Sequence, residues 1–561
     1  MTHESAVDRI LRIPHIIEEI FLQFLPFWSP DEGVVQNQDQ AQQTKAQRYT
    51  LAQLARVCRP FSQPALDILW KNLDDLGHLL RVLPSYQLQD RDHRYIIDEI
   101  APPQWLRFQQ YAYRVRGLSW KASLLPDHWI VWTLLEQHSG GQPPLPRLRT
   151  LEILELDPNH AQSLLLLLAP SLRTLRLSFV TPESATTFED QAVPGRSAAG
   201  ILLQLIAPRL SCLSSFCIQG DGLPRDFPSR YVTCLTRLSH LKNLDLLYSG
   251  VDFNAEAFQH ISNIASLRSL SLDVYFEELE DNSRALRLGG APMELEELHL
   301  TGSIDDLARV FQAAQFPKMT SLALSIRAMP TMDELKDGLG IICSHVSRSL
   351  SEAHLFFQSQ ISSDTVSLGD ILAPYLSFRE LSIINIELSF SVPSMDDQDA
   401  LAFASAWPSL TDFHWHNRSW ITGIPPVIPT QPTVAGLLAF AQRCPQLHNL
   451  RLPYLDVRTL PSPLSIPAAG QKAMRTLDIP EYLGGHTANL LDLALIIDRL
   501  FPECNAADPH AMTMQAEVVS HVIENDPRYR PIRFTKLLLQ AVRAHRRLLE
   551  GDRSHAGTVN D

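Results

Sequence analysis

Leu241-Lys242-Asn243-Leu244-Asp245-Leu246 is answered further along the chain by Leu267-Arg268-Ser269-Leu270-Ser271-Leu272. The same three apolar positions return at Leu295/Leu298/Leu300, Met319/Leu322/Leu324, Leu350/Ala353/Leu355, Phe378/Leu381/Ile383 and Leu410/Phe413/Trp415. Upstream they occur at Val115/Leu118/Trp120, Leu148/Leu151/Ile153, Leu172/Leu175/Leu177 and Leu213/Phe216/Ile218, and downstream at Leu447/Leu450/Leu452 and Met474/Leu477/Ile479. The second and third positions lie two residues apart with a polar residue between, the signature of a strand with one buried face. The stretches between them carry the other period. Ile304, Leu307, Ala308 and Phe311 fall on one helical face, as do Leu335, Leu339, Ile342 and Val346, and again Val434, Leu437, Leu438 and Ala441.

Subtracting the successive starts 241, 267, 295, 319, 350, 378 and 410 gives spacings of 26, 28, 24, 31, 28 and 32. A leucine-rich repeat runs ~20–29 residues, so several units carry insertions. A single strand-turn-helix-turn unit cannot bury its apolar face; stacked units can, each packing on its neighbours. The predicted fold is therefore an α/β solenoid, an irregular leucine-rich-repeat horseshoe over residues 113–501. Parallel strands line its concave face and helices its convex face. The asparagine ladder of the plain consensus is mostly missing, which argues against a regular horseshoe.

Hydrophobic residues make up 45% of the 561 and charged residues 20%, a folded composition. The net charge of -14 weighs against nucleic acid, which needs a basic footprint. The seven cysteines are scattered without a C-x-x-C pair, the usage of reduced thiols. Residues 1–8 are charged and read as disordered, with no secretory signal, and no apolar run is long enough for a membrane span. The expected location is cytoplasmic or nuclear.

The N-terminal segment has a separate pattern. Ile13-Pro14 opens an apolar helix with Ile16, Ile17, Ile20, Phe21, Phe24 and Leu25. A polar, Gln-rich insert follows over 30–48, then a helix with Leu51, Leu54, Ala55, Val57, Cys58 and Phe61, and a third reaching Leu66, Leu69 and Trp70. The opening IPHIIEEIF and the closing LAQLARVCRPFSQPALDILW resemble the two ends of an F-box over residues 9–75. The passage Phe440–Leu447 likewise resembles the repeats of F-box proteins, and the arrangement resembles the large fungal F-box family. That resemblance implies docking on a Skp adaptor, and through it on a cullin-RING ubiquitin ligase. Its adaptor-facing positions fall here on Ile13, Pro14, Ile17, Phe21, Leu54, Val57, Cys58 and Trp70. The long insert departs from the short loop usual in an F-box. The alternative is a helical domain that only caps the solenoid. Residues 76–112 read as a linker with a turn at Pro102-Pro103. Residues 502–550 read as a C-terminal cap whose helix, Ile532 to Leu549, either packs on the last repeat or offers a basic interaction face. A disordered tail, 551–561, follows.

No phosphate loop, zinc motif or nucleophile elbow is present. His414 and His416 project from one strand face, but no third metal ligand lies near. The chain is expected to be no enzyme and to hold no cofactor or metal. On the F-box reading it is the substrate-recognition subunit of the ligase; the alternative is a non-catalytic repeat scaffold with no ligase attached. In either case the polar strand positions should hold the partner. From 243 to 416 those positions include Asp245, Asp273, Glu297, His299, Glu352, His354, Glu380, Asp412 and His414, and no Lys or Arg. This predicts an acidic, histidine-studded strip that takes a basic segment of a protein partner and weakens as His299, His354 and His414 charge near pH 6. No nucleic-acid or membrane partner is expected.

Overall fold

The computed structural model describes residues 14–24, 38–88, 94–96, 99–121, 129–156, 161–179, 203–220, 231–276, 294–359, 361, 366–388, 392–417, 429–467, 471–485, 489–506, 534–544 and 546. The chain divides into two compact units, Met1–Asp273 and Val274–Asp561. Each has one strand per repeat in a parallel sheet, with helices in most of the connections: an α/β solenoid of the leucine-rich type.

The first unit begins with three helices: α1 (Pro14–Leu22), α2 (Gln38–Val57) and α3 (Arg59–Leu69). Ile17, Phe21, Leu51, Ala65 and Ile68 close a small core between them. The second half of the polar insert is helical and continuous with the predicted second helix, because residues 38–57 contain no Gly or Pro and are rich in Gln and Ala. The helix does not run on to Phe61. It stops at Cys58, whose backbone is extended (φ -158°, ψ 164°). Continuing it would drive the Pro60 ring into the carbonyl of Arg56 and delete an N–H.

The parallel ladder starts earlier than predicted. Strand β1 (Asn72–Leu73) already pairs with β2 (Gly117–Lys121). Then follow β3 (Thr150–Leu156), β4 (Thr174–Phe179), β5 (Ser215–Gln219), β6 (Asn243–Asp245) and β7 (Ser269–Asp273). Residues 76–112 are not a linker: they hold a short helix (Leu76–Leu80), a hairpin (Tyr86–Leu88 with Arg94–Ile96) and helix α4 (Pro102–Ala112). Pro102 and Pro103 open that helix rather than a turn. The first helical position has no partner for an N–H, so proline costs nothing there.

The second unit runs β8 (Glu297–Gly302), β9 (Ser321–Ile326), β10 (Glu352–Phe357), β11 (Ile383–Leu388), β12 (Asp412–Asn417), β13 (Asn449–Arg451), β14 (Thr476–Asp478) and β15 (Asn505–Ala506). Between them lie α5 (Ile304–Ala313), α6 (Met332–His345), α7 (Asp397–Ala406), α8 (Val434–Arg443) and α9 (Leu490–Leu500). The triplet positions are the core: Leu298, Leu300, Leu322, Leu324, Ala353 and Leu355 are at most 2% exposed. Each such leucine contributes ~1.5–3 kcal/mol. One unit is out of phase with the prediction. The register Ala353↔Ile384 and Leu355↔Ile386 makes its triplet Leu381/Ile384/Ile386, not Phe378/Leu381/Ile383.

A repeated backbone device sets the register. The residue before most strands gives its carbonyl to two N–H groups of the next repeat; Ser351 O, for example, accepts from Ser382 N (2.8 Å) and Ile383 N (3.0 Å). Helices pack as closely as side chains allow. A Cβ on Gly338 of α6 would lie 2.4 Å from Ile304 Cγ1 of α5. Trp407 is fully buried, stacks on Phe403 at 5.2 Å and donates its indole N–H to Tyr375 O at 3.2 Å.

The last repeat is clamped by a helix over 534–544. Arg543 donates to Asp498 Oδ1 (3.1 Å) and to the carbonyls of Phe501 (2.9 Å) and Cys504, and Arg546 donates to Asp498 Oδ2 (3.0 Å). These two arginines are engaged inward, so this helix packs on the last repeat, the first of its two alternatives. Phe534 points outward and Leu539 inward. All seven cysteines are free thiols. Among the described residues no helix is long and apolar enough to cross a membrane. The predicted segments 1–8 and 551–561 lie outside the described residues.

Candidate docking surfaces

The first surface belongs to the N-terminal helices. Ile13 lies outside the described residues, and Pro14 starts α1. Ile17 (2% exposed) and Phe21 (3%) are core residues and face no partner, which corrects their assignment. Phe21 meets Phe61 edge-on at 5.2 Å. Leu54 packs partly against the same core, and Cys58 is half-buried at the break before α3. Trp70 is turned toward the first repeat, its ring 4.7 Å from Tyr111. What α1 offers to solvent is the adjoining stripe, Ile16 (38% exposed) and Ile20 (50%), and the end of α2 offers Val57 (65%). An i, i+4 pair of exposed isoleucines on a helix whose other stripe is buried was open to reading: apolar residues at 16, 17, 20 and 21 make two stripes, and three helices can bury only one.

The second surface is the strand face opposite the helices. Strand pairing aligns one residue per repeat into a central column: Ser119, Glu152, Arg176, Cys217, Asp245 and Ser271 in the first unit. In the second unit the column is His299, Ala323, His354, Asn385, His414, Arg451 and Asp478. In the first unit Ser119 Oγ donates to Glu152 Oε2 (2.8 Å), Arg176 lies 3.9 Å from the other oxygen of that carboxylate, and Cys217 Sγ lies 3.4 Å from Asp245 Oδ2. Burial pushes the Cys217 thiol up, and it pushes the Asp245 carboxyl up against the bond from Leu247 N–H.

The predicted acidic strip is thinner than the sequence suggested. Asp273 is 2% exposed and accepts from Tyr248 N–H at 2.9 Å, so it is a structural group. Glu380 sits on the turn before β11, off the strip; the corrected register puts Ile383, Asn385 and Glu387 there instead. Asp412 accepts from Thr411 Oγ1 (2.6 Å) and Asn449 Nδ2. Glu297 and Glu352 remain accessible at the edge. Beyond the predicted span the column gains a cation, Arg451, paired with Asp478 at 3.1 Å.

The histidines are also displaced from expectation. Burial, and then the nearby His354, push His299 down to about 4. Burial lowers His354 and His414 too, with Glu352 (3.9 Å) and Asp412 (4.0 Å) pulling the other way. Protonation near pH 6 is therefore not the behaviour of His299. His299 and His354 instead flank the Phe356 ring, with centroids at 6.1 and 6.4 Å. His299 Nε2 and Asn385 Oδ1 are buried with no hydrogen-bond partner among the described residues. Together these make a half-dry face of imidazole, amide and aromatic groups rather than a charged trough.

No protein-family model matches this chain, and no curated protein matches it. Among solved structures it is similar to a yeast complex of Rad7 and Elc1, at 14% identity and a TM-score of 0.35, covering 62% of this chain and 82% of that one. It is also similar to the mouse RP105/MD-1 complex, at 13% identity and a TM-score of 0.30, covering 71% of this chain and 61% of that one. Both likenesses are too distant to speak to function.

A cleft of about 760 Å³ lies beside α3 and α4, lined by Gln63, Trp105, Gln109, Tyr113 and Arg114 among others. Arg114, its charged lining residue, is engaged by Asp67 and Gln63. That lining has no paired acid and base. Among the described residues no three His, Cys, Asp or Glu side chains are grouped to hold a metal ion.

Proposed function

We propose that this chain is a non-catalytic recognition subunit, cytoplasmic or nuclear. Its N-terminal helices dock a Skp-type adaptor of a cullin-RING ubiquitin ligase, and its repeats hold the protein to be modified. The observation that carries this reading is the exposed apolar stripe of α1, Ile16 and Ile20, on helices whose internal core is already complete. Exposed apolar groups that fold-internal packing does not need are the usual mark of a partner. The protein's contribution would be proximity: a held substrate meets the ligase's active subunits at high effective concentration.

The test is co-purification of the full chain with the Skp adaptor. Covering two isoleucines is worth about 3–6 kcal/mol at ~1.5–3 kcal/mol each. Replacing Ile16 and Ile20 together by Asp should abolish capture while the thermal melt stays put, since neither belongs to the core. Undiminished capture by that folded variant would refute the docking face.

A second reading, the scaffold with no ligase attached, has its own observation. The ring of Trp70 packs on Tyr111, and Arg114 is tied to Asp67 of α3, so the helices also cover the start of the ladder. A wild-type chain that captures a partner but never the adaptor would select this reading.

A further inference from the structure

The row of residues just before the strands has one structural role, to give a carbonyl to two N–H groups of the next repeat. In the second unit this row is Glu296, Thr320, Ser351, Ser382, Thr411, His448 and Arg475. Four successive hydroxyls there help the ladder: Thr320, Ser351, Ser382 and Thr411 each donate to the carbonyl of the preceding row member, at 3.2, 3.0, 3.0 and 3.0 Å. That role favours Ser and Thr and asks for no charge. In the first unit the same row, joined by the same paired bonds, reads Lys71, Arg116, Arg149, Arg173, Ser214, Lys242 and Arg268. Six of its seven members are cations. Adjacent strands are ~4.8 Å apart, so the row is one residue wide and about 29 Å long.

Like charges at that spacing repel. Burial, and then Arg147 and Arg149, lower the proton affinity of Arg116. Arg147, two residues before Arg149, lies over the Tyr113 ring at 3.5 Å. Arg149, Arg173 and Lys242 are exposed, and no ion pair joins them to another described residue. A chain with a net charge of -14 has acid to spare for them.

We propose that this row is a binding ridge for an extended polypeptide segment carrying clustered anionic groups, carboxylates or phosphates. A single extended chain advances ~3.3 Å per residue, so about nine residues span the ridge and long Lys and Arg stems absorb the mismatch in spacing. Nucleic acid fits less well. A duplex would overhang the ridge onto the neighbouring column, whose one cation, Arg176, already lies 3.9 Å from Glu152. A single strand wants stacking platforms along its path, and the exposed Tyr113 beside Arg116 is already covered by Arg147. The ridge does not depend on adaptor docking and fits either reading above.

The experiment is fluorescence anisotropy with the full chain and four labelled probes: a decaglutamate, a Gly/Ser peptide with four phosphoserines, an unmodified Gly/Ser peptide, and a single-stranded oligo-dT of matching length. At least one anionic peptide should bind, the neutral peptide should not, and affinity should fall as salt rises from 0.05 to 0.5 M. Which of the two binds better identifies the anion. The triple variant Arg149→Gln/Arg173→Gln/Lys242→Gln should lose roughly tenfold or more, about 1.4 kcal/mol. The variant Arg149→Lys/Arg173→Lys should retain binding, which separates charge from misfolding. Arg475→Gln, the same ladder position in the second unit, should change nothing. The proposal is overturned if neither anionic peptide binds, if the Gln variant binds within twofold of wild type, or if only oligo-dT binds in a ridge-dependent way.

Discussion

Replacing His299 by Gln should flatten the acid side of the stability profile. His299 is neutral in the folded chain because burial, helped by the neighbouring His354, holds it down to about 4 against an ordinary 6.5. The unfolded chain binds this proton more readily. Between about pH 4 and 6.5 the unfolded state therefore carries more protons, and stability rises with pH. The contribution is fully present above 6.5 and is lost as pH falls through that window to about 4. At about 1.4 kcal/mol per tenfold in proton affinity, the gap is worth no more than about 3 kcal/mol, less because the ring is not wholly dry. Carboxylates titrate in the same range, so the quantity to compare is the difference between wild type and variant. Urea unfolding at pH 7.5 and 4.5, followed by tryptophan fluorescence, supplies it: wild type should lose about 1–3 kcal/mol more than the variant. An NMR titration of labelled imidazoles reads the group directly. His299 titrating near 6.5, or a variant with an unchanged pH profile, would show that the column is wetter than the geometry says and that the pH-sensitive strip must be reconsidered.

Trp407→Ala should be among the most damaging single changes, costing ~3–5 kcal/mol for the cavity and also stranding the Tyr375 carbonyl, as measured by thermal or urea melts. Asp397 accepts from Thr433 N–H (2.8 Å), Thr433 Oγ1 (2.7 Å) and Gly436 N–H (2.9 Å), tying two repeats together. Asp397→Ala should cost about 1–3 kcal/mol and speed hydrogen exchange at the start of α8 before elsewhere. Gly338→Val has no room against Ile304 and should destabilise by about 1–3 kcal/mol, whereas Gly340→Ala, where a Cβ meets nothing, should be neutral or slightly stabilising.

The sequence by itself determined the architecture. A period-2 apolar triplet recurring in order, with period-3.6 stretches between, permits little besides stacked strand-helix units, since no unit can bury its apolar face alone. It also located α5, α6 and α8, whose apolar faces are unambiguous. Local cues misled where context mattered: Pro102 and Pro103 look like a turn until the first helical turn receives them, and the Gln-rich insert looks like a loop although its composition favours helix. Phase was undecidable at 378–386, because Phe378, Leu381, Ile383, Ile384 and Ile386 satisfy two overlapping triplets. Only the bonds from Ser382 N and Ile383 N to Ser351 O choose between them.

What tertiary structure alone decided was which side chains face out. Ile16 and Ile17 are equally apolar in sequence; packing against Leu51 and Ile68 buries one and leaves the other exposed. Asp273 alternates like a surface residue and is buried by the Tyr248 loop. Burial on the strand face lowers the proton affinity of three histidines, His299 to about 4. The cationic row is invisible as a row until strand pairing brings residues 71, 116, 149, 173, 242 and 268 side by side. Periodicity is a local property of the chain and survives in the sequence. Register, solvation and the company a charge keeps are set by residues tens of positions away, and these decide the docking surfaces.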